Sequence, residues 1–123
     1  MIMKEQVKLP RIYVDVLNQV FEIEKKLDQI HEPNTIQRNI NRLKDLFENQ
    51  TASLSGEPMS IFYKSPFGED YDETRTDCEA SIAGTGTENL VIIEVIKPII
   101  YCQLMGQNII AQKAIVIVEE QKN

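Results

Sequence analysis

From Asn89 to Val118 the chain reads Asn-Leu-Val-Ile-Ile-Glu-Val-Ile-Lys-Pro-Ile-Ile-Tyr-Cys-Gln-Leu-Met-Gly-Gln-Asn-Ile-Ile-Ala-Gln-Lys-Ala-Ile-Val-Ile-Val, a run dense in β-branched residues that reads as sheet. Only Lys97-Pro98 and the turn sequence Leu104–Asn108 interrupt it. The N-terminal half has clean helical periodicity and almost no β-branched runs. Helices and strands segregated along the chain predict an α+β fold, with a helical region at 1–54 and a linker plus small, mostly antiparallel β-domain at 55–123. The β half shows no catalytic constellation, which points to function by contact.

The helical region is the clearest local reading. Ile12, Val16, Val20, Ile23, Leu27 and Ile30 recur at steps of four and three, an apolar stripe along one helix face. Val14, Leu17 and Phe21 widen the stripe, so this helix needs cover on more than one side. Pro10 suits its first turn, and the helix is expected to end by His31-Glu32, because the residue before Pro33 is pushed out of the α region. Asn34 or Thr35 then caps a second helix running to about Gln50, with Ile36, Ile40, Leu43, Leu46 and Phe47 as its stripe. The short connection makes the two an αα-hairpin. Both apolar faces are broad for a lone pair, and splitting the core between helices and sheet leaves each part small. The sequence therefore predicts a homodimer, with two hairpins closing a four-helix bundle and Ile12, Val16, Val20, Ile23, Leu27, Ile36, Ile40, Leu43 and Phe47 in the seam.

Further along, Ser55-Gly-Glu-Pro58 and Ser65-Pro-Phe-Gly68 are turn sequences around Met59–Tyr63, a short strand or an apolar clip onto the bundle. Alternation of Thr74, Thr76, Cys78, Ala80 and Ile82 with Arg75, Asp77, Glu79 and Ser81 predicts one half-exposed strand over 71–82. Ala83–Thr87 reads as a hairpin-type turn into Leu90–Ile96. Beyond Pro98, Ile99–Leu104 and Ile109–Val118 read as a second hairpin, followed by a frayed polar tail.

Composition excludes several classes. A net charge of -6 over 123 residues argues against a nucleic-acid or acidic-membrane partner. No apolar run approaches the roughly 20 residues of a membrane span, and the first residues lack a signal-peptide core, so the expected location is cytoplasmic. Cys78 and Cys102 have no metal-type spacing and read as small buried side chains, with a disulfide open to them if their strands are neighbours. The acidic run Glu69, Asp70, Asp72, Glu73, Asp77 and Glu79 lacks the pattern of a calcium loop and reads as a solvated or basic-partner face. His31 has no nucleophile beside it in sequence, and Gly84-Thr-Gly-Thr lacks the lysine of a phosphate loop. No metal or cofactor is expected, and the chain does not read as an enzyme.

The order of elements and several phrases resemble the GrpE family, nucleotide-exchange partners of DnaK-type chaperones. Ser55-Gly-Glu-Pro-Met59 resembles the family's glycine-proline phrase and Glu69-Asp-Tyr-Asp-Glu-Thr74 its aromatic-Asp phrase. Glu79-Ala80 resembles the end of its histidine-glutamate-alanine phrase, Val91–Lys97 its Val-Val-Glu-Val-Leu-Gln-Lys strand, and Ile109–Val118 its closing strand. Pro98-Ile99 and Gln112-Lys113 stand where the family carries glycine-tyrosine and arginine-proline, and the chain reads as a short form without the long paired N-terminal helix. The resemblance implies a β-domain that presses on the nucleotide-binding domain of a DnaK-type chaperone, favours its open cleft and promotes ADP release. Turns held on a rigid sheet lose little entropy on binding, so Lys97, Pro98, Met105, Gly106, Gln107 and Lys113 are the expected partner residues. The alternative is a dimeric adaptor that uses the same β-domain to bind another protein without exchange.

Overall fold

The computed structural model describes residues 9–32 and 34–121, in which helices α1 (Arg11–Leu27) and α2 (Ile36–Asn49) pack together and lead into eight strands. The fold is α+β, with the strands in two four-stranded sheets, one curled into a half-barrel. Among the described residues no helix is long and apolar enough to cross a membrane.

Helix α1 starts directly after Pro10, whose carbonyl accepts the Tyr13 N–H at 3.1 Å. It stops at Leu27, short of the expected His31-Glu32, and the Pro33 stop signal lies outside the described residues. Leu27 is the last side chain of the helix that the core covers. Beyond it the Gln29 and Ile30 amides turn back onto the Lys26 and Leu27 carbonyls at 3.1 and 2.9 Å, the tighter bonding of a final turn. At the start of α2 the Asn34 side chain accepts the Ile36 N–H at 2.9 Å, so Asn34 rather than Thr35 supplies the side-chain cap. Tyr13 near the start of α1 meets Phe47 near the end of α2 edge-on at 5.8 Å, while Glu24 bonds Gln37 at the other end. The two helices therefore run antiparallel.

The strands are β1 (Thr51–Ala52), β2 (Pro58–Lys64), β3 (Asp70–Tyr71), β4 (Cys78–Ala83), β5 (Leu90–Lys97), β6 (Ile99–Leu104), β7 (Gln107–Gln112) and β8 (Ala114–Glu120). The first sheet has the order β1-β2-β6-β7 and the second β3-β5-β8-β4. All pairings are antiparallel except β4 with β8. Met59–Tyr63 is thus a strand, and an interior one.

Four expectations need correction. The run 71–82 is two strands, because local bonds hold the chain between them in turns. Asp72 accepts from both the amide and the hydroxyl of Thr74, and Arg75 bonds the Asp70 carbonyl at 2.9 Å and Asp77 at 2.9 and 3.0 Å. Ala83–Thr87 does not join a hairpin, since β8 lies between β4 and β5. Ile109–Val118 is not one strand: it breaks at Lys113, and β5–β6 breaks likewise at Pro98. Each break hands the chain from one sheet to the other, with Lys97 opposite Ile115 in the second sheet and Ile100 opposite Gln112 in the first. Proline lacks the amide a ladder would use, so it suits this position. The polar tail also begins later than expected, because Glu119 and Glu120 continue β8, while Lys122 and Asn123 lie outside the described residues.

Val14, Leu17, Val20, Phe21 and Leu27 of α1 are covered from within the chain, whereas Ile12, Ile23 and Ile30 of the expected stripe stay exposed. Val14 and Leu17 pack with Ile61 and Ile100 of the first sheet. Phe21 joins Val95, Ile99 and Val116 in the core of the second sheet. Val20, Leu27 and Ile40 form a third cluster, and Tyr63 packs against all three. Each such side chain contributes about 1.5–3 kcal/mol by leaving water.

Candidate functional site

Lys97 and Lys113 flank the bend between the sheets, and both are exposed. Pro98 beside them is fully buried, so it shapes the corner from inside. Its carbonyl accepts the Gln112 side-chain amide at 2.9 Å. Gln112 also exchanges reciprocal amide bonds with Asn18 of α1 at 3.0 and 2.9 Å. This closed amide pair fixes the corner to the helical layer.

Met105, Gly106 and Gln107 lie at the opposite end of the β6–β7 hairpin. Met105 is 76% exposed, and Met105 and Gly106 both adopt positive φ, 52° and 79°. The length of β6 separates tip from corner by about 20 Å, so the expected partner residues form two groups rather than one surface.

The residues expected in a dimer seam also divide. Val20, Leu27 and Ile40 are inside the chain, Val20 and Ile40 being 2% and 1% exposed, where α1 and α2 cover one another with Tyr63 of β2 alongside. Val16 and Phe47 are half-buried against the core. Ile12, Ile23, Ile36 and Leu43 remain exposed, Ile12 at 63%.

A polar node that sequence reasoning missed joins α1, α2 and β2. Glu24 Oε1 accepts the Tyr63 hydroxyl at 2.6 Å, and its carboxylate also takes Gln37 at 3.1 Å and Lys44 at 3.2 and 3.3 Å. The Lys44 ammonium lies 4.8 Å from the Tyr63 ring centroid. Burial pushes the Glu24 carboxyl up, but the bonds from Tyr63, Gln37 and Lys44 together outweigh it and hold the group below its ordinary value. Desolvation, with the Glu24 bond second, pushes the Tyr63 phenol up. Glu24 stays ionised and Tyr63 neutral, as the short bond requires. The sequence signal was faint, since Glu24 sits on a face that reads as solvated and its phenol partner is 39 residues away.

The acidic run is largely organised by one arginine. Arg75 bonds Asp77, and its guanidinium reaches Glu69 at 3.2 Å. That pairing is the main reason the Asp77 carboxyl lies below its usual range. Cys78 and Cys102 are free and buried in different sheets. Desolvation pushes the Cys78 thiol up to about 11 and raises that of Cys102, so both are protonated and weakly nucleophilic at neutral pH. Among the described residues no three acidic, histidine or cysteine side chains converge as metal ligands. Comparison with protein-family models, with curated proteins and with solved structures finds no match to the chain.

Proposed function

We propose that the chain is a GrpE-like co-chaperone that binds the nucleotide-binding domain of a DnaK-type chaperone and promotes ADP release by opening its cleft. The observation that supports this reading is the corner: two exposed lysines, Lys97 and Lys113, at the two crossings between the sheets, where Gln112 and Asn18 tie the bend to α1. A rigid cationic edge of this kind favours whichever partner conformation fits it, and its binding energy is not lost to ordering a loop. ADP and the co-chaperone then oppose one another through the hinge of the partner. Stopped-flow chase of fluorescent ADP from the purified chaperone of the same cell tests the proposal. Release accelerates with added chain, and charge reversal at Lys97 and Lys113 abolishes the acceleration. Stable binding with unchanged release would assign the chain to the adaptor class instead.

The proposal includes a homodimer formed through the outward helix face. Ile12 and Ile23 of α1 and Ile36 and Leu43 of α2 are large apolar side chains left in water, on helices whose inner faces are already covered. Light scattering at micromolar concentration should give twice the chain mass, and Ile23→Asp should give a folded monomer. Val20→Asp differs, because it buries an unpaired charge in the chain's own core and should unfold the protein. A folded wild-type monomer overturns the dimer.

A further inference from the structure

Between the end of α1, β5 and the loop after β2 lies a groove of about 520 Å³, open to solvent. That volume is within the roughly 300–1,000 Å³ of ligand sites. Its walls are aromatic: Phe21 and Tyr63 meet edge-on at 5.7 Å, and the Phe67 ring stands at the rim 66% exposed. Ile93 of β5 continues the apolar wall and is itself exposed.

The charges around these walls are unbalanced. Glu24, Asp28 and Glu94 line the groove against one cation, Lys25. Lys25 is already engaged: its Nζ donates to the Val95 carbonyl at 3.0 Å, lies 3.8 Å from Glu22 and sits 5.2 Å from the Phe21 ring centroid. Glu24 is satisfied by Tyr63, Gln37 and Lys44. Asp28 and Glu94 are exposed and have no ion-pair partner among the described residues. Asp28 is also the C-cap residue of α1, where the partial negative charge of the helix end adds to its own.

We propose that this groove binds an arginine side chain presented by an extended segment of a partner protein. A guanidinium stacks flat on an aromatic ring and offers a planar fork to carboxylates, which matches the exposed Phe67 ring together with Asp28 and Glu94 in the groove lining, the Phe21 and Tyr63 rings being already faced by Lys25 and Lys44. Phe67 and Ile93 then cover the apolar residues on either side of the arginine. A metal ion does not fit, because the acidic groups do not converge. The inference stands apart from the exchange reading, and its failure would leave ADP release untouched.

The test is a titration of the isotope-labelled full chain with the peptide acetyl-Gly-Leu-Arg-Leu-Gly-amide, followed by backbone amide shifts. Saturable shifts should appear at Ser65, Phe67, Ile93, Glu94 and Val95. A twin peptide carrying citrulline in place of arginine should bind at least about tenfold more weakly, as should the Asp28→Asn/Glu94→Gln double variant. Phe67→Ala, at an exposed rim position, should weaken the arginine peptide without altering the rest of the spectrum. No saturation by millimolar peptide, or equal binding of the citrulline twin or by the variants, overturns the proposal. Tetramethylammonium binding as tightly as the arginine peptide also overturns it, by making the groove a small-cation site.

Discussion

At one end of the β6–β7 hairpin, Ile100 is fully buried among Val14, Leu17 and Ile61, and Gln112 is clamped to Asn18 and to the Pro98 carbonyl. At the other end Met105 projects into water and Gly106 closes the turn at positive φ. Both ends were candidates for partner contact on the same grounds, as turns on a rigid sheet. The corner is a structural joint that also displays two lysines, whereas the tip is held by the β6–β7 ladder and its turn. Stability and recognition are therefore entangled at the corner and separable at the tip.

Mutation can break or sharpen that contrast. Ile100→Ala leaves a cavity under the corner and should cost about 2–5 kcal/mol in urea unfolding. A loss there no greater than any at the tip would break the contrast outright. Gln112→Leu strands the Asn18 amide and the Pro98 carbonyl and should cost about 1–3 kcal/mol. Adding Asn18→Leu should recover part of that loss, because an apolar pair leaves fewer polar groups unpaired; no recovery would mean the amide pair is not what holds the corner. At the tip, Gly106→Ala should cost about 1 kcal/mol, because it forces a side chain into the left-handed region. Met105→Ala should stay within about 0.5 kcal/mol, since its side chain is in water. If Met105→Ala nevertheless weakens chaperone binding, the tip is a contact and not only a turn.

The helices were legible because periodicity reports a buried face directly, and Leu17, Val20 and Ile40 are buried as their spacing requires. What periodicity does not report is the identity of the covering surface. Val20 and Leu27 looked equally ready for a second chain, and within this chain they pack against Ile40 of α2, with Tyr63 of β2 beside them. The strand content of 90–118 was legible for the same reason. Its division between two sheets was not, since Gln112-Lys113 is a short polar pair in an otherwise apolar run and the parallel partner of β8 lies 36 residues earlier. The false strand over 72–77 arose from alternation alone, where Asp72 and Arg75 bind the backbone into turns. The ties made by Gln112 and Glu24 were not legible because a part-buried polar partner far along the chain leaves no periodic trace. The aromatic groove was invisible for the same reason, its walls coming from α1, β2, β5 and the loop that holds Phe67.

The insertion of β8 between β4 and β5 dictates an order of events during synthesis. Until Ala114–Glu120 has been made, β4 and β5 have no strand to bridge them, and β3 has only two residues to add to one side of β5. The helices and the β1–β2 hairpin can assemble as they emerge, but the second sheet waits for a strand that must enter its middle. Closing so long a loop is slow compared with zipping a hairpin. Meanwhile the edges of β4 and β5 stay open to mispairing, which exposes the nascent second sheet to aggregation.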